Sequence, residues 1–177
     1  MGDWGMARLF VAVRPPPEVM ARLAAIDRPA LPGVRWSVPE QWLVKLRPFG
    51  HVDGRVVAPL REALAAELDG APAVVCRLGP ATRRLGGQWL GAPVHGLDEL
   101  AGVVFEATQE LVPVTHPQPF QADLVLARGR VPAELAGRPV AGSWTARSVS
   151  LLADRSSPQA VRFQELASFP LEDPGPA

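Results

Sequence analysis

Charged side chains interrupt two otherwise apolar segments of the chain. Lys45 and Arg47 lie in residues 42–47, and Asp123 and Arg128 bracket the second segment. Side chains two positions apart on a strand point to the same side, which predicts one face for Lys45 and Arg47. Cations on one face can bind a phosphate or a carboxylate. With burial, Asp123 and Lys45 could instead serve as base and acid, because burial moves the pKa of each towards neutrality.

The remaining reactive residue types offer weaker candidates. His51, His95 and His116 lie in turn-like sequence, and none has a hydroxyl residue two positions later. A base must first lie within reach of its proton, so we expect loop or surface histidines. Cys76 is the only cysteine and sits in an apolar run, which predicts a buried, inert thiol. We predict no metal site and no cofactor.

Apolar spacing indicates alternating strands and helices. Strands are predicted at residues 7–13, 34–38, 42–46, 74–78, 123–127, 143–152 and 162–169, and helices from residue 17, over 56–68 and over 97–111. Pro48 and Gly50 are expected to end the strand at 42–46. The pattern predicts an α+β chain in two similar halves, each with a small antiparallel sheet. A ferredoxin-like domain would explain the same alternation.

Composition sets limits on the class of protein. The 177 residues are 47% hydrophobic and 20% charged, which is typical of a globular domain or of two lobes sharing a core. Eighteen basic residues balance 18 acidic ones, so the chain lacks the basic field of a duplex-binding protein. No apolar run approaches the ~18 residues of a membrane span, and no signal peptide is evident. We therefore expect a soluble, cytoplasmic protein without a membrane partner.

Six short fragments occur in order along most of the chain. They are residues 8–13 before a proline run, residues 34–41, residues 89–91, Phe120 with residues 124–128, Trp144 with residues 149–152, and residues 162–171. In order and spacing they resemble the RNA 2′,3′-cyclic phosphodiesterases, or 2′-5′ RNA ligases, of the 2H phosphoesterase superfamily. The resemblance implies one bilobal domain over residues 7–171, with residues 1–6 and 172–177 as flexible termini. Two pseudo-symmetric antiparallel sheets would form a central groove, with helices outside.

The same resemblance implies that the catalytic residues are replaced. That family uses two His-x-Thr/Ser motifs, whose histidines exchange protons across the phosphorus and whose hydroxyls hold the phosphate oxygens. Its histidines map to Leu43 and Asp123, and its hydroxyl residues map to Lys45 and Val125. The chain is therefore not expected to be an active cyclic phosphodiesterase.

Three interpretations of the altered groove remain open. In the first, the groove is non-catalytic or repurposed and binds a phosphate-containing ligand, a nucleotide or an RNA end through Lys45, Arg47, Asp123 and Arg128. In the second, Lys45 and Asp123 perform altered chemistry in the same groove. In the third, these two residues form a salt bridge that plugs the groove, and the chain serves as a protein-interaction module.

Three tryptophans near these segments could stack on a nucleobase. Trp42 alternates away from the face of Lys45, which predicts core packing. Trp36 and Trp89 could present a ring to a base, although burial is the commoner role of tryptophan.

Overall fold

The computed structural model describes residues 5–114 and 119–173. In chain order its elements are β1 (Met6–Val13), α1 (Pro17–Ala24), β2 (Val34–Trp36), β3 (Val44–Asp53), α2 (Val57–Leu68), β4 (Val74–Leu78), β5 (Arg83–Leu85), β6 (Trp89–His95), α3 (Asp98–Thr108), β7 (Asp123–Gly129), β8 (Gly142–Ala146), β9 (Ser148–Asp154) and β10 (Phe163–Pro170). Short 3-10 turns lie at Pro39–Gln41, Gly54–Val56 and Ala133–Leu135.

The strands form two separate antiparallel sheets. The first has the order β10-β9-β1-β3, and the second has the order β2-β7-β6-β4-β8 with β5 paired to β6. The predicted α+β architecture with two antiparallel sheets is confirmed. A single ferredoxin-like sheet does not account for it.

Helices cover one side of the sheets. Helix α1 starts at Pro17, a position where the missing N–H of proline costs no hydrogen bond. Helix α2 buries leucines four residues apart, namely Leu60, Leu64 and Leu68. Helix α2 packs on α3 and β10, α3 packs on β3, and α1 packs on β8. This spacing puts one apolar stripe of each helix against a sheet or a neighbouring helix.

Strand β1 is buried on both of its sides. Leu9 and Val11 point into the main core beneath the helices. Phe10 and Ala12 point the other way, into a second apolar cluster with Leu43 and Leu152 and, packed against it, Phe163. We call this second set the groove-side cluster. The first sheet therefore has a second apolar surface that helices do not cover, as expected for a run of consecutive apolar residues.

Two predicted strand boundaries were wrong. Strand β3 does not end at Pro48 but continues to Asp53, because it is an edge strand with a register irregularity beside Pro48. A proline costs no ladder hydrogen bond at such a place. Residues 143–152 are not one strand, since the chain passes at Arg147 from β8 in the second sheet to β9 in the first.

The described structure reaches slightly beyond the predicted domain bounds. Met6 belongs to β1, and Glu172 forms a bridge to Pro72. Residues 1–4 and 174–177 of the predicted flexible termini lie outside the described residues. Among the helices described, none combines the length and the apolar character needed to cross a bilayer.

Candidate functional site: a groove between the two sheets

A cavity of about 1610 Å³ lies between the two sheets. Its first-lobe wall includes Arg8, Leu43, Lys45 and Phe163, and its second-lobe wall includes Leu85, Trp89, Asp123, Val125 and Arg128. Acidic residues of α2 and α3 line a further part, namely Glu67, Asp98, Glu99 and Glu106. The cavity thus combines apolar, cationic and acidic surface, and it receives residues from both lobes.

Matching bulges in β3 and β7 determine which side chains face this groove. In β3, Lys45 is opposite Ala12 and Arg47 is opposite Val11, so Leu46 is an extra residue. In β7, Leu126 is the extra residue between two consecutive partners on β6. At such a bulge, two consecutive residues of one strand lie opposite a single residue of the partner strand, and the two side chains point to the same side of the sheet. Leu46 and Leu126 are both buried in the main core.

Lys45 lies on the floor of the groove, as the sequence predicts. Its Nζ is 4.6 Å from the ring centroid of Phe10 in the groove-side cluster. No carboxylate of the described residues lies within salt-bridge distance of Nζ. Burial by surrounding protein lowers the pKa of Lys45, and the charges of Arg128 and Arg8 lower it further, while Asp154 opposes them. The ammonium form is therefore less favoured here than in water.

Asp123 is held by a residue that sequence reasoning did not single out. The Arg83 guanidinium donates from Nε to Oδ1 at 3.0 Å and from Nη2 to Oδ2 at 2.8 Å. The Asp123 side chain is only 6% exposed. This two-point bond raises the pKa of Arg83. The ion pair between Lys45 and Asp123, one of the predicted alternatives, is not formed, and the groove is open.

Arg128 and Trp89 form a stacked pair on the second lobe. The guanidinium carbon of Arg128 lies 5.1 Å from the centroid of the Trp89 ring. Trp89 remains 40% exposed, and Arg128 Nε is buried without a hydrogen-bond partner among the described residues. The charge of Arg128 acts on Lys45 across the groove. The cations Lys45 and Arg128 and the exposed indole ring of Trp89 therefore lie near one another in the groove.

The shared face predicted for Lys45 and Arg47 is not formed, although Arg47 borders the same cavity. Arg47 is 5% exposed, and its guanidinium donates to the Thr108 hydroxyl at the end of α3 and to the Val112 carbonyl in the turn that follows. Its planar group lies 4.9 Å from the Phe49 ring centroid and 5.2 Å from that of Phe105. The bulge at position 46 is the cause, because it turns the next side chain away from the groove.

Leu43 and Val125 present aliphatic surface to the groove. Leu43 is 4% exposed and packs in the groove-side cluster, where Phe10 and Phe163 meet edge to face at 5.2 Å. Val125 is half-buried on β7. Neither side chain can donate or accept a hydrogen bond, so they contribute apolar surface to the walls of the groove near Lys45 and Arg128.

Sequence comparison and structural comparison give different answers. No protein-family model and no curated protein matches the sequence. E. coli LigT complexed with 3′-AMP is 20% identical and superposes with a TM-score of 0.79, over 94% of this chain and 98% of LigT. The protein TT0787 of Thermus thermophilus is 22% identical with a TM-score of 0.81, over 93% and 97% of the two chains. A further solved phosphoesterase is 21% identical with a TM-score of 0.76, over 93% and 98%.

The chain has the 2H phosphoesterase fold. The superpositions include nearly all of both lobes, and the sequence fragments predicted the same fold. At 20% to 22% identity the likeness concerns the fold. The chemistry of this chain has to be argued from its own groove.

Among the described residues, His51, His95 and Cys76 do not line the groove of this 2H fold. His51 and His95 are exposed, and His95 Nε2 lies 3.1 Å from the Gly79 carbonyl oxygen. His116 lies outside the described residues. Cys76 is buried, and burial raises the pKa of its thiol to about 11. The inert character predicted for Cys76 agrees with this environment.

The other two tryptophans of interest belong to the framework. Trp36 donates its indole N–H to the Pro29 carbonyl at 2.8 Å, and Trp42 is 2% exposed in the main core. The prediction of core packing for Trp42 is confirmed. Trp89 is therefore the tryptophan, of these three, that a ligand in the groove can reach.

Sequence reasoning missed Arg8 and Arg83. Arg8 lies on the same side of β1 as Phe10, so strand alternation could have placed it in the groove. Arg83 reaches Asp123 across β6, with Gly91 opposite both Arg83 and Val125. That contact depends on the register of three strands, for which the local sequence contains no signal.

Proposed function

We propose that the groove binds a small phosphate-containing ligand or nucleotide and does not hydrolyse it by 2H phosphoesterase chemistry. The observation that carries this proposal is the Arg128–Trp89 pair facing Lys45. A guanidinium offers two parallel donors to phosphate oxygens, and an ammonium adds a second charge. The exposed indole ring offers a surface on which a base can stack.

The charges in the part of the groove around Lys45 favour an anion, while the acidic residues of α2 and α3 line another part of the cavity. Lys45, Arg8 and Arg128 are near enough for their charges to interact. The carboxylate of Asp123 would repel a phosphate, but its two-point bond to Arg83 offsets its charge. A phosphate near Lys45 would therefore meet net positive charge, although the whole chain is neutral.

Ligands of a structural neighbour support the same class of compound. E. coli LigT has been crystallised with 3′-AMP, NADP+, ATP and phosphate. Those complexes concern LigT, with which this chain shares a fold. Together with the cations and the indole ring of this groove, they favour a nucleotide or a simple phosphate ester over an uncharged ligand.

The residues at the predicted catalytic positions support binding without hydrolysis. Leu43 has no proton to exchange, and Asp123 is engaged by Arg83. Lys45 and Val125 stand where the family has hydroxyls, and Val125 cannot hold a phosphate oxygen. General acid–base catalysis needs a positioned acid and base, and charge that develops on phosphate oxygens needs donors. For the same reason, Asp123 is a poor base for altered chemistry.

Two assays on the purified protein test this proposal. With a nucleoside 2′,3′-cyclic phosphate we expect no turnover by the wild type, by Lys45→Ala or by Asp123→Ala. Turnover that either substitution abolishes would contradict the proposal. In titration calorimetry we expect 3′-AMP to bind the wild type and Arg84→Gln alike, since Arg84 bonds the Gly87 carbonyl and does not line the groove. Failure of both phosphate and 3′-AMP to bind would also contradict it.

A further inference from the structure

Lys45 is the only lysine in the 177-residue sequence, and it lies inside the groove. Its amine is over the Phe10 ring, close to the apolar Leu43 and Phe163 that line the same cavity. The Lys45 side chain is exposed to the open groove, and the cavity wall next to it is apolar and cationic. The amine has no carboxylate of the described residues within salt-bridge distance.

We propose that Lys45 is a nucleophilic amine that condenses reversibly with an aldehyde or ketone bearing a phosphate or carboxylate group. The proposal rests on the anion site described under Proposed function, and it adds a covalent step to that site. It also identifies the class of ligand more narrowly, as an anionic carbonyl compound of small size.

The step needs no further reagent. The lone pair of the neutral amine attacks the carbonyl carbon, the C=O π pair moves to oxygen, and a proton transfer from nitrogen to oxygen gives a carbinolamine. Loss of water then forms the imine, with both amine hydrogens and the carbonyl oxygen leaving as that water. Water reverses the reaction, and no oxidant or reductant takes part.

The surroundings of Lys45 favour both the reactive form and the anionic ligand. Partial desolvation by the groove walls lowers the pKa of this solvent-accessible amine, Arg128 and Arg8 lower it further, and Asp154 acts in the opposite direction. The neutral amine is the nucleophile, so its fraction at neutral pH rises. The same arginines attract the anionic group of the ligand. One arrangement therefore activates the amine and brings the carbonyl compound to it.

An anionic aldehyde and two relatives of it test the proposal. The purified chain is incubated with pyridoxal 5′-phosphate, the imine is reduced with borohydride, and the labelled site is found by peptide mass mapping. Pyridoxal lacks the phosphate, and pyridoxine 5′-phosphate lacks the aldehyde. Because the chain has one lysine, the α-amino group is the internal reference for an ordinary amine.

We expect Lys45 to be labelled by pyridoxal 5′-phosphate about ten-fold faster than the α-amino group, a difference of one decade in rate. Pyridoxine 5′-phosphate should slow the labelling of Lys45. Pyridoxal, whose aldehyde is partly closed as a hemiacetal, should show little preference for Lys45 over the α-amino group of the same sample. Lys45→Arg should remove the groove label and leave that on the α-amino group. Arg128→Gln should slow labelling by the phosphate compound about ten-fold, with little change for pyridoxal. Arg84→Gln should behave as the wild type.

The outcomes separate this proposal from the binding function. If pyridoxine 5′-phosphate binds but Lys45 is labelled no faster than the α-amino group, the covalent step is wrong and the anion site stands. If pyridoxine 5′-phosphate does not bind and both aldehydes show the same preference for Lys45 over the α-amino group, the anion selectivity is wrong, and with it the proposed function.

Discussion

Strands β3 and β7 occupy corresponding places in the two lobes, yet they use their arginines differently. Each strand has a leucine as the extra residue of a bulge, Leu46 in β3 and Leu126 in β7. Arg47 comes one position after its leucine and points into the core. Arg128 comes two positions after its leucine and faces the groove. A shift of one residue relative to the bulge thus separates an arginine bonded to the end of α3 from one stacked on the exposed Trp89 ring.

The two guanidinium groups also differ in how fully they are bonded. Arg47 lies between two phenylalanine rings and donates to Thr108 at the end of α3 and to Val112 in the turn that follows. A cation near the C-terminus of a helix is favourable because carbonyl groups without partners collect there. Arg128 stacks on one exposed ring and keeps Nε without a partner among the described residues. Arg47 Nε also lacks a partner among the described residues, but both of its terminal nitrogens donate to protein, whereas none of the Arg128 nitrogens does so within the described chain.

The largest effect that we expect is a loss of stability when Arg47 in β3 is substituted. We expect Arg47→Ala to lower the free energy of unfolding by about 3 kcal/mol, because the packing of a long side chain is lost and the Val112 carbonyl loses its donor. Arg128→Ala should cost about 1 kcal/mol or less. Urea unfolding followed by circular dichroism measures both. Equal losses in the two variants would break the distinction between the strands.

A second variant separates packing from charge at the same position. Arg47→Met retains an unbranched chain of similar length between Phe49 and Phe105 and removes only the donors. We expect its loss of stability to be about half that of Arg47→Ala. If the two substitutions cost the same, the hydrogen bonds to Thr108 and Val112 would carry the whole effect.

For ligand affinity we expect the opposite order, with a larger effect from substitution of Arg128 than of Arg47. We expect Arg128→Ala to weaken 3′-AMP binding about 30-fold, because hydrogen bonds to a charged group contribute about 2 kcal/mol each. Arg47→Met should change the dissociation constant by less than about two-fold, since its guanidinium does not face the ligand. Titration calorimetry on folded protein measures both values. A large loss in Arg47→Met would place Arg47 in the binding site.

The sequence predicted the groove better than it predicted the faces of individual side chains. Fragment order and strand periodicity anticipated the two lobes, and alternation correctly placed Lys45 on the groove floor. Alternation failed at Arg47 because a bulge adds one residue without any local signature in an apolar run. Pro48 likewise suggested a strand end, although an edge strand tolerates it.

Contacts between distant segments could not be predicted at all. The bond between Arg83 and Asp123 joins residues 40 positions apart through the register of β5, β6 and β7. The sequence offered Lys45 as the partner of Asp123 because both positions map to the same groove. The structure gives Asp123 another partner, which leaves the Lys45 amine free of carboxylate contact among the described residues.

A smaller effect on ligand affinity is expected when the ion pair between Arg83 and Asp123 is broken. Arg83→Gln removes the partner of Asp123 and leaves a negative charge in the groove, so 3′-AMP binding should weaken about five-fold. The adjacent Arg84→Gln is the matched control and should bind as the wild type does. The double variant Arg83→Gln with Asp123→Asn should recover most of the affinity. Without that recovery, Arg83 would act on the ligand directly and not through Asp123.

The smallest expected effect is a pH dependence of sulfate binding, which should arise from Lys45 on β3. Lys45 has a lowered pKa, so its positive charge is complete at low pH and is lost as pH rises through a value below the ordinary 10.5. Sulfate keeps its charge over this range, and its binding should therefore weaken by about three-fold as Lys45 loses its proton. Lys45→Arg should remove the dependence, because a guanidinium stays protonated. A dependence that persists in Lys45→Arg would have to come from another group, and the contrast between a titrating cation on β3 and a fixed one on β7 would be lost.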